Sequence, residues 1–207
     1  MMNILLNGCS HVEASECKKG LTEFFADSLN ANVTNIAKGG GSNHRILRTT
    51  LEYCENNPID LVVIGWTTHE RFEFAWQGER KDYTLYKQAD KKELEKFYRY
   101  LDLNVADWNI GLEDTIAYQF ALQSYLDHKK IDYLYCNMFN SIPNNCQIPL
   151  WNAIDISKYY KPHESFIEKY IELFPKGFSD TMHITNAELY KRMTQDLIEM
   201  YRWRYFT

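Results

Sequence analysis

The sequence predicts an α/β protein: a three-layer, doubly wound, mostly parallel sheet of about four to five strands with helices on both faces. Two observations carry this expectation. Strand-like apolar runs alternate with helix-like periodic runs from the first residues onward. The best strand, Asp60 to Gly65, is apolar and β-branched after its first residue, as a parallel strand buried on both faces reads.

Each element follows from its own pattern. Met2 to Leu6 is a short buried-strand run that ends at Asn7-Gly8, and Glu16 to Asn30 places Leu21, Phe24, Phe25 and Leu29 near helical spacing. Asn32 to Ala37 reads as a second strand. The breaker Gly39-Gly40-Gly41 follows, then a helix over Ser42 to Asn56 with Ile46, Leu47, Thr50 and Leu51 on one stripe. After the strand at Asp60 to Gly65 the alternation breaks. Residues 66 to about 108 are polar and aromatic-rich, with helical character only from about Lys91, and read as an insertion into one domain spanning 1–207. Leu112 to Lys130 resumes as an amphipathic helix, and Ile131 to Cys136 supplies a fourth strand. Asn137 to Lys161 reads mostly as loop, His163 to Phe174 as a helix ended by Pro175-Lys176-Gly177, and Thr185 to Glu188 as a capping box that starts the last helix.

Composition narrows the function classes. Among 207 residues, 23 Lys and Arg stand against 28 Asp and Glu, a net charge of −5, and the basic clusters are short and flanked by acids, so a nucleic-acid partner is not expected. No apolar run approaches the ~18–20 residues of a membrane span, and no association with a membrane is expected. Leu-Asn-Gly-Cys before Cys9 resembles a lipoprotein signal only superficially, because no basic region or long apolar stretch precedes it. The five cysteines include no CxxC pair, which favours free thiols and a cytoplasmic location.

In open α/β sheets ligands bind at the carboxyl ends of the strands, so the residues just after each strand carry most weight. They are Gly8-Cys9-Ser10-His11, Gly39-Gly40-Gly41-Ser42-Asn43 and Gly65-Trp66-Thr67-Thr68-His69, with Asp180-Thr181-Met182-His183 ahead of the last helix. A hydroxyl at a strand-to-helix turn, glycines that bring backbone N–H groups close, and an Asp–His pair are the parts of a serine hydrolase. On these residues the chain resembles the SGNH/GDSL hydrolase family. Gly8-Cys9-Ser10 matches the first motif, with Cys9 where the family usually has Asp. Asn35 to Gly40 approximates the second, with Ala37 in place of a Gly, and Asp180 to His183 matches the last. In the third motif, Gly65-Trp66-Thr67-Thr68, Thr67 stands where the oxyanion Asn belongs.

The resemblance implies an esterase or other acyl-ester hydrolase acting on a small-molecule or glycan ester, without a cofactor. Ser10 would be the nucleophile, His183 the base and Asp180 its orienter. Gly40, or Gly41 if the register slips, would lend a backbone N–H to the oxyanion, with Thr67 as third donor and Asn43 or His69 as substitutes. The alternative is a non-catalytic binding or structural module that kept the fold without a full oxyanion hole. Trp66, His69 and Arg71 follow the best strand and border the expected cleft. Arg71 can bind a substrate carboxylate or phosphate, or pair with Glu73 or another surface acid; the aromatics of this stretch can form a stacking wall for sugar rings or a local mini-core. Ser10 to Glu13 also reads as a plain helix cap. Cys9 reads as a small buried residue, no histidine spacing suggests a metal, and the glycine run lacks the ending of a phosphate loop. The terminal aromatics, Tyr201 to Phe206, suggest docking on the protein's own body or on a second copy.

Overall fold

The computed structural model describes residues 1–83, 95–97, 99–100, 108–180 and 182–206. Its centre is a five-stranded, all-parallel sheet in the order β2-β1-β3-β6-β7, built from β1 (Asn3–Gly8), β2 (Asn32–Asn35), β3 (Leu61–Trp66), β6 (Asp132–Asn137) and β7 (Tyr159–Tyr160). β1 and β3 lie side by side with Gly8 opposite Gly65. The strand order reverses about β1, so the crevice beyond the carboxyl ends of β1 and β3 is the topological switch point where such sheets bind ligands.

Both faces of the sheet are covered, as the continuous apolar strands require. On one side Ile4, Leu6, Val63 and Leu134 pack with α1 (Ser10–Glu13), α2 (Leu21–Leu29), α5 (Phe166–Leu173) and α6 (Ala187–Phe206). On the other Leu5, Val62, Ile64 and Tyr135 pack with α3 (Asn43–Asn56) and α4 (Trp108–Lys129). The β1–β3 contact has no room for side chains at its outer end: a Cβ on Gly8 or on Gly65 would stand 2.4 or 2.5 Å from Val12 Cγ2. These two glycines let α1 sit directly on the strand ends, which fixes the residue that begins α1.

Several boundaries differ from the sequence expectation. The helix expected over Glu16 to Asn30 begins at Leu21, because Gly20 N–H is held by Glu23 Oε2 at 2.7 Å and residues before it form turns. The expected box at Thr185 is displaced by one residue: Asn186 Oδ1 accepts from Glu188 N, while the Thr185 hydroxyl donates to Gly177 O. Part of the expected insertion is an antiparallel hairpin, β4 (Phe72–Trp76) and β5 (Glu79–Tyr83), whose two-residue turn Gln77-Gly78 takes positive φ at both positions, as tight hairpins with the right twist require. Phe72 stacks on Tyr83 at 4.6 Å, and Phe74 and Trp76 meet Phe97, so the described aromatics form a mini-core rather than an open wall. The start of the helical stretch near Lys91 lies outside the described residues. Two buried acids fasten the hairpin: Glu73 to Arg48 of α3, Asp82 to Ser42 at the start of α3. Among the described residues no helix is long and apolar enough to cross a membrane.

Candidate functional site

Ser10 is the first residue of α1, entered through an extended, fully buried Cys9. Helix α1 lasts four residues and ends at Ala14, whose left-handed φ of 59° turns the chain back. His183 comes from a tight turn, closed by Met182 N–H on Ser179 O and by Ser179 N–H on His183 O, that precedes α6. The two meet, with Ser10 Oγ 2.9 Å from His183 Nε2.

The other ring nitrogen corrects an expectation. His183 Nδ1 lies 2.8 Å from Glu16 Oε1, a carboxylate just past the Ala14 turn. Asp180 occupies the first corner of the Ser179–Met182 turn and points to solvent, because the turn that displays His183 sends the residue three before it outward. Ser10, His183 and Glu16 therefore form the serine–imidazole–carboxylate line, and Asp180 stands outside it. The Ser10–Glu13 cap reading is also replaced: Glu13 makes no cap bond to Ser10 and instead accepts from Gly39 N–H at 2.8 Å, tying the glycine run to α1.

Of the three glycines, Gly40 takes a φ of 72° inside a turn whose closing bond is Gly41 N–H on Lys38 O, 2.9 Å. A side chain would be strained at such a position. Gly41 spends its N–H on that turn and is not a second candidate for the oxyanion. Asn43 is likewise committed. Its amide exchanges two bonds with the Thr67 backbone, accepting from Thr67 N at 2.9 Å and donating to Thr67 O at 3.2 Å, and donates to Thr115 Oγ1 at 2.9 Å. It locks the chain after β3 rather than facing a ligand.

Thr67 sits beside this lock but is fully buried, with the guanidinium of Arg71 donating to its Oγ1 at 2.8 Å. Its hydroxyl anchors Arg71 and is not presented at the surface of the cleft. Trp66 turns into the core against Tyr135, with ring centroids 5.3 Å apart, and offers nothing to a sugar ring, because inward is the only direction left at the last position of a strand buried on both faces. His69 is also buried, with Nδ1 3.3 Å from Thr115 Oγ1, and its carbonyl packs where Gly111 leaves space; burial lowers its pKa to about 4, so its ring is neutral.

Two neighbours escaped the sequence reading. Phe139, two residues past β6, lies under the Arg71 guanidinium, 5.1 Å from ring centroid to Cζ. His11 meets Phe139 edge-on at 4.6 Å and His183 at 5.4 Å. The His11 ring is buried with neither nitrogen hydrogen-bonded, and burial first, then the charges of His183 and Arg71, press its pKa down to about 3. Its adjacency to Ser10 was the only available signal. Among the described residues no three His, Cys, Asp or Glu side chains gather closely enough to hold a metal ion.

Comparison with solved structures gives the fold its relatives. An acetyl xylan esterase, AlAXEase, aligns with a TM-score of 0.55 at 11% identity over 100% of both chains. The psychrotrophic esterase EstA from Pseudoalteromonas sp. aligns with a TM-score of 0.57 at 11% identity, again over 100% of both. TesA aligns with a TM-score of 0.61 at 11% identity over 96% of this chain and 97% of its own. With GDSL-like lipases also among the matches, the chain has the SGNH/GDSL hydrolase fold. No curated protein matches it by sequence. A family model described as "Family of unknown function (DUF6071)" matches residues 11–169, well over half of the chain, and the protein belongs to that family.

Proposed function

We propose that this protein is a serine hydrolase of small acyl esters. The observation that carries the reading is the continuous line from Ser10 Oγ to His183 Nε2 at 2.9 Å and from His183 Nδ1 to Glu16 at 2.8 Å. In it the carboxylate holds the Nδ1–H tautomer and leaves Nε2 free to accept the serine proton.

Ser10 Oγ attacks the acyl carbonyl while its proton passes to His183 Nε2. The resulting oxyanion is met by the backbone N–H groups of Ser10 and Gly40. His183 then protonates the leaving alcohol, and a water activated by the same imidazole releases the acid. The fold relatives that are named esterases, AlAXEase and EstA, support an ester as substrate. The departure at Thr67 leaves two backbone donors where three are usual, and removal of one donor typically lowers kcat by about 10²–10³; a modest rate belongs to the proposal. A fluorophosphonate probe tests it. Ser10 is expected to be labelled in the wild type and not in Ser10→Ala, with hydrolysis of a short 4-nitrophenyl ester lost in the same variant. A folded wild type that neither reacts nor turns over any ester would support the non-catalytic alternative instead.

A further inference from the structure

We infer that Arg71 is a recognition site for an anionic group on the substrate, a carboxylate or phosphate carried by the ester, an inference that rests on the hydrolase reading of Ser10 and His183. Glu73, the acid available to neutralise Arg71 locally, is taken elsewhere: Arg48 grips it with two bonds, 2.6 and 3.1 Å, and Arg80 and His44 add to it at 3.3 and 3.5 Å. No described acid pairs with Arg71. Among the described residues its partners are the Thr67 hydroxyl and the Phe139 face, and its Nε is buried without a hydrogen bond.

The placement makes this cation relevant to the cleft. Arg71 lies on Phe139, Phe139 on His11, and His11 beside His183, so an unbroken chain of contacts runs from the guanidinium to the base that touches Ser10. The side chain is only partly buried, and the positive field it sets up already acts on His11. One N–H on Thr67 and the stack on Phe139 hold the group in a fixed pose, so binding an anion orders little that is not already ordered. A guanidinium so held offers its remaining Nη hydrogens to a planar carboxylate or a phosphate, the partners its geometry fits. A merely structural arginine is normally neutralised by its surroundings. This one is anchored by groups that supply no negative charge, which leaves the charge to a ligand.

The test uses two pairs of isosteric esters, so that the anion can lie on either side of the scissile bond: the 4-nitrophenyl esters of adipic acid and of its monoamide, and the acetyl esters of 4-hydroxybenzoate and 4-hydroxybenzamide. Rates are divided by the hydroxide-catalysed rate of each ester. In at least one pair the anionic member is expected to show kcat/KM about 10-fold or more above the neutral one, the scale of one charge-assisted bond. That ratio is expected to fall below about 3-fold in Arg71→Gln and to survive in part in Arg71→Lys, which keeps the charge should the Gln variant fold poorly. Calorimetric binding of adipate and of 4-hydroxybenzoate, weakened by the same substitution, reads the site without turnover. Ratios near one in both pairs, or a ratio unchanged in Arg71→Gln, overturn the inference while leaving the hydrolase intact. Anion binding that depends on Arg71, with no turnover of any ester and no labelling of Ser10, overturns the hydrolase while leaving the anion site; neither binding nor turnover overturns both.

Discussion

Replacing Glu16 by Gln separates the carboxylate the structure places on His183 from the one the Asp-x-x-His spacing suggests. Glu16 Oε1 is 2.8 Å from His183 Nδ1, and the two side chains are 37% and 27% exposed. At a charge separation of about 4 Å, an imidazolium–carboxylate attraction is roughly 1 kcal/mol in water and about 4 kcal/mol near a protein surface. Partners about a third exposed fall between these limits, so losing the carboxylate removes about 1–3 kcal/mol from the charged transition state, or roughly 5- to 150-fold in kcat. Gln adds a second effect. Its amide N–H can donate to Nδ1, which stabilises the tautomer with a proton on Nε2, and that nitrogen then cannot accept from Ser10. Glu16→Gln is therefore expected to be at least as damaging as Glu16→Ala, where water can enter and accept from Nδ1. Asp180→Asn, at an exposed turn corner, is expected to stay within about twofold of wild type. Steady-state hydrolysis of a short-chain 4-nitrophenyl ester, with melting temperatures as a control on folding, reads all three. Equal losses for Asp180→Asn and Glu16→Gln, or full activity in Glu16→Gln, would refute the assignment.

The neighbouring groups give sharper contrasts. Thr67→Val removes the acceptor that holds Arg71; kcat/KM is expected to fall about tenfold on an anionic ester and to stay within about threefold on its neutral isostere, whereas a large loss on both would make Thr67 an oxyanion donor. His11 and His69 are neutral in the fold, with pKa values near 3 and 4 against 6.5 when unfolded, so below about pH 6.5 unfolding takes up protons and stability declines as pH falls toward 4, each ring contributing up to about 1.4 kcal/mol per pH unit; denaturant melts from pH 7 to 4.5 check this, and a slope unchanged in His11→Asn would exclude His11. Gly65→Ala puts a Cβ 2.5 Å from Val12 Cγ2 and 2.7 Å from Met138 Cε, an overpacking expected to cost about 1–3 kcal/mol and to be partly relieved by Val12→Ala; a neutral Gly65→Ala would show that α1 can shift without strain.

What the sequence disclosed follows from the range of the interactions involved. β3 was legible because Leu61 to Ile64 must be apolar to lie in mid-sheet, and Ser10 was legible as a residue at a strand end, where this architecture converges and where it meets His183. Glu16 was not legible. It reaches His183 only because Ala14 adopts a left-handed φ, and alanine gives no cue for that conformation as Gly or Asn would. The β4–β5 hairpin was hidden for a similar reason, since Gln77 takes the φ > 0 position where Asn or Asp is the usual signal, and the alternation of Phe72, Phe74 and Trp76 was lost among other aromatics. Asn43 and Trp66 were placed at the right strand ends with the wrong role. Position along the chain says which end of the sheet a residue occupies; only packing says whether its side chain faces a ligand or, as for Asn43, is consumed in holding Thr67.

The polar groups that this fold leaves unsatisfied bear on how the site works. A buried polar atom without a partner costs about 1–3 kcal/mol, and both His11 nitrogens and Arg71 Nε are in that condition within one chain of contacts ending at Ser10. For His11 the expense has a chemical consequence. In the proposed hydrolysis, a second imidazolium 5.4 Å from His183 would oppose the charge that His183 acquires on taking the serine proton, and burial against Phe139 keeps His11 neutral. Arg71 adds a positive field from the other side of Phe139, which also disfavours a charge on His11. Glu16 places a carboxylate directly against the His183 ring, a contact that the buried His11 ring lacks. Two neighbouring histidines thus receive opposite environments, His11 from Phe139 and Arg71 and His183 from the Glu16 carboxylate, and in the proposed hydrolysis that asymmetry assigns the proton to the ring that faces Ser10.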